Sequence, residues 1–407
     1  MAGSTEQKGF TRRGFIKTLG LGGIAATAAT VTGTGAGQAE DGGKASSVPR
    51  RKLGKTGLEV SILSLGGMFD TINNQLLLKQ AFNWGVSYWD TAQAYGNGLS
   101  EEGFGRFFSR NPDARKEIFL VTKSGVGAPG AMTEGLEKSL KRLHTDYVDL
   151  FFAHGMDSLG QIRDGAREWA SQMKKAGKIK LFGFSTHTNM EDCLSAAAKS
   201  DWIDVIMFSY NFRIMTTQKM KDAVAACVDK GIGLVAMKTQ GGGPVRTDSE
   251  AELRMAGRFL QRGFTDKQAK LKAVWDDPNI ASICSQMPTL TILSANVAAS
   301  MDLNSLARGD FELLDRFAAE TREGYCAGCG RICGEAVEGV VPVNDVMRCL
   351  MYYRDYGDRD LAREVYAALP AEARRRISEV DYSTAEELCP QGLAITGLMR
   401  DAARLLA

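Results

Sequence analysis

The run Val86-Ser87-Tyr88-Trp89-Asp90-Thr91-Ala92-Gln93-Ala94-Tyr95-Gly96 decides how the chain is read. Its first part, Val86–Trp89, suits a short buried strand, because β-branched and aromatic side chains pack well on a pleated surface. The run then stops on polar and small residues. Working outward, the same unit recurs. Similar apolar runs occupy Val60–Leu65, Ile118–Thr122, Tyr147–Phe152, Ile179–Phe184, Ile203–Phe208, Gly233–Met237 and Ile280–Cys284. Between them lie stretches with apolar residues three and four apart, the period of a helix with one buried face. Leu136, Leu140 and Leu143 follow Thr133, which reads as an N-cap. Ile162, Ala166, Ala170 and Met173 run to a stop at Gly177, and Met220, Val224 and Val228 to one at Gly231.

Eight alternating units of this size predict an α/β fold, a (β/α)₈ TIM barrel over residues 49–310. A doubly wound open sheet shares the periodicity. However, no G-x-G-x-x-G run opens a helix after the first strand, which weighs against it. From residue 311 the pattern changes. A helical stretch at Phe311–Glu323 leads into a cysteine-rich segment, and Val343–Tyr353, Leu361–Leu369 and Leu393–Leu406 are again helical in spacing. Residues 311–407 therefore read as a small helical, cysteine-rich C-terminal domain.

Charge excludes some partners. The 407 residues carry a formal net charge of +2. Residues 1–39 hold Lys8, Arg12, Arg13 and Lys17 against Glu6, which leaves the remainder near neutral. A balanced surface gives no reason to expect nucleic acid or anionic lipid.

The N-terminus, Thr11-Arg12-Arg13-Gly14-Phe15-Ile16-Lys17, is followed by a weakly apolar run from Leu19 to about Val31, then by Gly37-Gln38-Ala39. A charged start, an apolar middle and small residues before cleavage define a secretory signal, here residues 1–39. The arginine pair resembles a twin-arginine signal, read by the exporter of folded proteins. Export to the periplasm or the exterior, with the twin-arginine machinery as a partner, is the expectation. Residues 40–48 read as a flexible linker. The apolar run is too short and too polar to span a bilayer, so no stable membrane insertion is expected.

In a barrel of this kind the chemistry sits at the C-terminal ends of the strands. Those ends carry Asp90 and Tyr95, then Lys123, then His154. A free phenol has a pKa near ~10 and is a poor acid–base group at neutral pH. A lysine ammonium beside it stabilises the phenolate, an aspartate holds the lysine, and a histidine can polarise a substrate carbonyl. The set suits protonation of a carbonyl oxygen by Tyr95 as a hydride arrives at carbon.

Over about residues 50–300 the sequence resembles the aldo/keto reductase family. The resemblance rests on Leu53-Gly54-Lys55-Thr56-Gly57-Leu58-Glu59-Val60-Ser61, on Asp90-Thr91-Ala92, Tyr95-Gly96 and Ser100-Glu101, on Thr122-Lys123, and on Asp149-Leu150 with His154. It implies that Asp90, Tyr95, Lys123 and His154 are a catalytic tetrad. It also implies reduction of small carbonyl substrates with NAD(P)(H), usually the phosphorylated form. The cofactor positions it implies are Ser185, Thr186, Met207, Lys238, Ser285, Gln286 and Asn296, and several depart from the family pattern. Thr186 stands where Asn is usual, Met207 where Gln is usual, and Met237-Lys238 where an aromatic ring is usual. The segment from Ser285 to Asn296 lacks the basic residues that grip the 2′-phosphate, while Asn296 fits the adenine side. Lys238 is read as a positive charge near the pyrophosphate. The rival reading is a non-catalytic or electron-transfer module on a barrel that has lost nicotinamide binding.

Most of the eight cysteines crowd toward the C-terminus. The order is Cys326-Ala327-Gly328-Cys329, then Cys333, and far later Leu388-Cys389-Pro390. Three close cysteines plus a remote Cys-Pro resemble a ferredoxin-type ligand set for a 4Fe–4S cluster, although the second spacing is three residues, not two. Cys349 competes with Cys389 as the fourth ligand but lies in a helical run and reads as packing. Zinc is the competing metal. A cluster carries one electron and a hydride two, so its role reads as structural, or as a link to a redox partner.

Overall fold

Eight short strands close on themselves because each is buried on both faces. In the computed structural model these are β3 (Leu63–Gly66), β4 (Tyr88–Asp90), β5 (Phe119–Ser124), β6 (Val148–Ala153), β7 (Ile179–Thr186), β8 (Val205–Ser209), β9 (Gly233–Met237) and β10 (Ile280–Gln286). They pair in parallel, in chain order, and β10 returns to β3 to shut the barrel. The structure describes residues 47–407 apart from 126, 163, 243–249 and 303. The expected signal at 1–39 and most of the linker at 40–48 lie outside the described residues.

Strand alternation builds two separate layers. Phe152, Val121, Leu150, Val205, Met207 and Val235 pack inside the barrel. Phe151, Leu120, Phe182, Phe184, Ile206 and Phe208 face outward onto the helices. Two further strands, β1 (Arg50–Lys52) and β2 (Glu59–Ser61), form an antiparallel hairpin. Its Leu53 and Val60 are fully buried against the inner layer. The sequence reading ran Val60–Leu65 together as one strand. The chain breaks there because the Ser61 hydroxyl donates to the Leu63 carbonyl at 2.8 Å and accepts from the Tyr88 amide at 3.1 Å.

The helix expected to start at Thr133 starts earlier, at Pro129–Leu143. Proline's fixed φ suits the first helical position, where its missing N–H costs nothing. Thr133 is then interior, its hydroxyl donating to the Pro129 carbonyl at 3.1 Å. The helix Ala166–Lys175 does end just before Gly177, whose φ is 71°, and Gln218–Lys230 stops on Gly231 at φ 85°.

After the last barrel helix, Leu290–Met301, the helix Arg308–Glu320 crosses to a bundle comprising Gly330–Ala336, Val343–Arg354, Arg359–Ala367, Ala371–Arg376, Ser383–Glu387 and Ile395–Leu406. The bundle has its own core of Val346, Cys349, Leu350, Tyr366, Met399 and Leu406. It is tied to the barrel near the ends of β7 to β9. Asn344 donates to Thr188 at 2.8 Å, Asn211 to the Tyr325 hydroxyl at 2.9 Å, and Lys238 to the Tyr352 hydroxyl at 3.0 Å. Among the described residues no helix is long and apolar enough to cross a membrane.

Gly183 marks the tightest strand contact. It pairs with Val205, and a Cβ there would stand 1.8 Å from the Val205 carbonyl oxygen. Backbone cannot yield as a side-chain tip can. Gly183→Ala is expected to destabilise the fold by about 2–3 kcal/mol, read as a lower denaturation midpoint at unchanged slope. An unshifted midpoint would show that β7 and β8 can part.

Candidate active site

The four expected residues converge. Asp90 closes β4, Lys123 lies near the end of β5, and His154 follows β6. Tyr95 opens the short turn Tyr95–Gly98, in which Gly96, Asn97 and Gly98 all take positive φ. That run turns the chain sharply into the helix Leu99–Arg110 and keeps Tyr95 close to the strand ends. Lys123 Nζ donates to Asp90 Oδ1 at 2.5 Å, to the Thr91 carbonyl at 2.9 Å and to the Tyr95 hydroxyl at 3.3 Å. The Lys123 and Asp90 side chains are each 1% exposed. The His154 ring meets Tyr95 edge-on, with centroids 5.8 Å apart.

Burial sets the protonation states. It raises the Tyr95 phenol, and the Lys123 charge offsets only part of that rise. The sequence argument expected a net fall. Lysine acts with the expected sign but is outweighed by desolvation. Tyr95 therefore stays protonated, which is the form a proton donor needs. Burial alone would discharge Lys123, but Asp90, Tyr95 and Cys284 keep it charged, with a net rise. Burial also raises Asp90 against the pull of Lys123. Among the described residues Asp90 Oδ2 has no hydrogen-bond partner of good geometry; the Cys284 thiol of β10 lies beside the carboxylate. Burial, then Lys123 and Arg348, lowers His154 to about 3, so its imidazole is neutral.

The residues expected on the cofactor side divide. The Ser185 hydroxyl accepts from the Gly155 amide at 3.1 Å and donates to no partner among the described residues. Asn296 donates to Ser285 at 3.0 Å. The Thr186 hydroxyl is spent on Thr188, donating to its carbonyl and accepting from its amide. Gln286 is bound to the Met68 carbonyl at 2.5 Å. Met207 is buried in the inner layer. Lys238 lines a cavity of about 180 Å³ between barrel and bundle, together with His187, Ser209, Cys326, Asn344 and Arg348. Sequence reasoning missed Asn344, Arg348 and Tyr352. All three lie on the helix Val343–Arg354, and nothing in its spacing says that it covers a barrel 100 residues upstream.

Cys326, Cys329, Cys333 and Cys389 line a second, smaller cavity with Ile332, Val343 and Met347. Cys349 does not reach it and is fully buried in the bundle core. Burial, with repulsion among the four, pushes Cys326 up to about 12 and Cys329 to about 11. Among the described residues no group of three or more His, Cys, Asp or Glu is placed to hold a metal ion.

A parallel barrel with this acid–base set at its mouth defines an oxidoreductase. The aldo/keto reductase family profile matches residues 65–309, and the chain belongs to that family. It is 25% identical to L-galactose dehydrogenase of Arabidopsis thaliana, over 63% of this chain and 89% of that protein. It is 27% identical to L-glyceraldehyde 3-phosphate reductase of Escherichia coli, over 52% of this chain and 64% of that protein. A thermostable aldo-keto reductase, solved with the inhibitor epalrestat, superposes with a TM-score of 0.54 at 27% identity, covering 66% of this chain and 99% of that one. The match to dehydrogenases and reductases leaves the non-catalytic reading without favour.

The neutral His154 has a consequence for stability. Its pKa is about 6.5 unfolded and about 3 folded, so the fold favours the neutral form. That contribution is complete above pH ~6.5 and is lost as pH falls from there toward 3. His154→Gln is expected to show a shallower loss of stability between pH 6.5 and 4 in denaturant titrations. An identical slope would mean that His154 titrates normally in the fold.

Proposed function

We propose that the protein exchanges a hydride between a nicotinamide dinucleotide and a small carbonyl or alcohol substrate, with Tyr95 as the proton donor and acceptor. The observation that carries this is the single lysine bonded to both the buried Asp90 and the Tyr95 hydroxyl, beside a neutral imidazole. When bound, the dinucleotide supplies or takes up the hydride. The substrate oxygen takes a place between the Tyr95 hydroxyl and a His154 N–H. As negative charge grows on that oxygen, Tyr95 gives up its proton, and the Lys123 ammonium stabilises the phenolate left behind. The ground-state rise of Tyr95 suits this: the acid holds its proton until the oxygen has become basic. Alcohol oxidation runs the same transfer in reverse.

Ser185 retains a proton for the carboxamide, and Asn296 stands at the adenine side. Between Ser285 and Asn296 there is no Lys or Arg for a 2′-phosphate, so a charge-assisted contact is missing and no strong preference for the phosphorylated form is expected. A clear preference for it in a binding titration would refute this.

The same proposal assigns a 4Fe–4S cluster to Cys326, Cys329, Cys333 and Cys389. The support is that these four thiols line one cavity. The remote Cys389-Pro390 pair favours a cluster over zinc. Clustered glycines at 328, 330 and 334 allow backbone N–H groups near the sulfurs. Export through the twin-arginine machinery, to the periplasm or beyond, completes the proposal and rests on Arg12-Arg13 and the run behind them. A protein loaded with its cofactors inside the cell must leave folded, and a redox partner outside would recharge it.

Tyr95→Phe is expected to lower kcat about 10²–10⁴-fold with dinucleotide binding intact; unchanged turnover would refute the role. Anaerobically purified protein is expected to hold about four irons and a visible band that bleaches on reduction. Cys389→Ser is expected to lose them, and Cys349→Ser to keep them at reduced stability. Zinc in place of iron, or iron retained in Cys389→Ser, would remove the ligand assignment.

A further inference from the structure

We propose that Cys284 is a positioning residue for the proton transfer: its thiol donates to the second oxygen of Asp90 and holds that carboxylate turned toward Lys123. The inference rests on the carbonyl-oxidoreductase reading and adds to it a residue from the last strand of the barrel.

The first observation is the layout of three neighbouring strands. On β10, β3 and β4 the register sets Cys284, Ser64 and Tyr88 in one row, and Gln286, Gly66 and Asp90 in the next row on the same face. That face is the inside of the barrel, where Tyr88 and Cys284 pack on the inner layer. Gly66 has no side chain to stand between Cys284 and Asp90. A Cβ at Gly66 would lie 3.2 Å from the Cys284 sulfur. The sulfur thus occupies the space beside the residue that pairs with Asp90.

The second is an unmet acceptor. Asp90 is 1% exposed, and its Oδ1 takes the Lys123 ammonium at 2.5 Å. Its Oδ2 is buried with no hydrogen-bond partner of good geometry among the described residues. A buried carboxylate oxygen left unmet is costly, so a donor belongs beside it. The other polar groups of the two rows are engaged elsewhere or lean away. The Gln286 amide donates to the Met68 carbonyl at 2.5 Å, and the Ser64 hydroxyl to the Ile283 carbonyl at 3.4 Å. The Tyr88 ring rests on Phe119 of β5, on the side away from β10, with centroids 5.0 Å apart.

The third is the chemistry of the thiol. Burial, with the Asp90 charge, raises the Cys284 thiol above its usual range, so it stays protonated and can donate. Burial raises the Asp90 carboxyl, and Lys123 and then the Cys284 thiol oppose that rise. An ionised Asp90 keeps Lys123 charged beside the Tyr95 hydroxyl. A thiol that steadies Asp90 therefore acts on Tyr95 through two other residues.

The test uses variants of the full-length protein. Cys284→Val fills the same space without a donor, Cys284→Ala removes both, and Cys284→Ser keeps a hydroxyl. Valine and alanine are each expected to lower kcat about tenfold, the worth of one hydrogen bond to a charged group, at little changed KM. Loss of the donor raises the Asp90 carboxyl, so the acid limb of kcat is expected to move up by about one pH unit. The titratable groups facing Asp90 are Tyr88, Tyr95, Lys123 and Cys284, and only the last is changed. Cys284→Ser is expected to stay closer to the unaltered protein on both counts, and Tyr88→Phe to leave the acid limb in place. The bond is also read directly. The infrared difference between the unaltered protein and Cys284→Val is expected to show the S–H stretch of a strongly hydrogen-bonded thiol, which rises in frequency in Asp90→Asn. Full activity in Cys284→Val with an unmoved acid limb would overturn the proposal. So would the absence of that stretch, a Cys284→Ser no more active than Cys284→Ala, or an acid limb moved by Tyr88→Phe alone. Failure of the oxidoreductase reading itself would appear as unchanged turnover in Tyr95→Phe, with the S–H stretch in place.

Discussion

The ion pair between Lys123 and Asp90 is the constraint on which the site depends. Both groups are almost wholly out of water, and a buried pair of this kind often stabilises a fold no better than apolar residues of equal volume. Its value is positional. Asp90 sits in register with Val121 on β5, and Lys123 with Phe152 on β6. The closed barrel therefore fixes the ammonium before any ligand arrives. The ammonium in turn is shared between a carboxylate, a backbone carbonyl and the Tyr95 hydroxyl, so the phenol is held by the same charge that steadies its conjugate base. Removing one partner leaves the other charged and buried, which is why the pair acts as a unit.

The second constraint is the bundle laid against the strand ends. A barrel alone leaves its C-terminal mouth open to loops. Here the helix Val343–Arg354 brings Asn344, Arg348 and Tyr352 to the ends of β7 and β9. The glycine loop after β9 yields to it: a Cβ at Gly242 would stand 3.2 Å from the Met351 sulfur and 3.4 Å from the Tyr325 ring. Arg213 also joins the parts, with bonds to the Gly241 and Ala318 carbonyls and to the Thr321 hydroxyl. Most of the wall of the larger cavity thus belongs to residues outside the stretch that matches the reductase family.

What the sequence discloses follows from the range of the forces involved. Strand positions, and the meeting of Asp90, Tyr95, Lys123 and His154 at the strand ends, were legible because a two-residue alternation and a polar strand end are local signals. Gly177 and Gly231 were legible as stops because a left-handed cap tolerates little but glycine. Thr133 misled because the proline four residues earlier is the stronger helix opener. The bend at Ser61 was hidden, since its cause is a hydroxyl that bonds a neighbouring strand. The net rise of Tyr95 was hidden for the same reason: the sequence names the charged neighbour, whereas desolvation depends on every atom around it. Arg348 and Tyr352 were the least legible, because their meaning is a tertiary contact made across more than 100 residues.

Cys326 is where the two halves of the molecule meet. It lines both the small cavity of four thiols and the larger cavity beside Lys238. Its neighbour Tyr325 is pinned to the barrel through Asn211, and Gly328 accepts from the Asn189 amide at 2.8 Å. The segment cannot shift without disturbing the strand ends. On the proposed reading, a group bound by the thiols would order this segment and, with it, one wall of the larger cavity. That coupling is mechanical and needs no electron to pass. A structural cluster would therefore still be felt at the site, through the placement of Tyr325, Asn344 and the helix that carries Arg348.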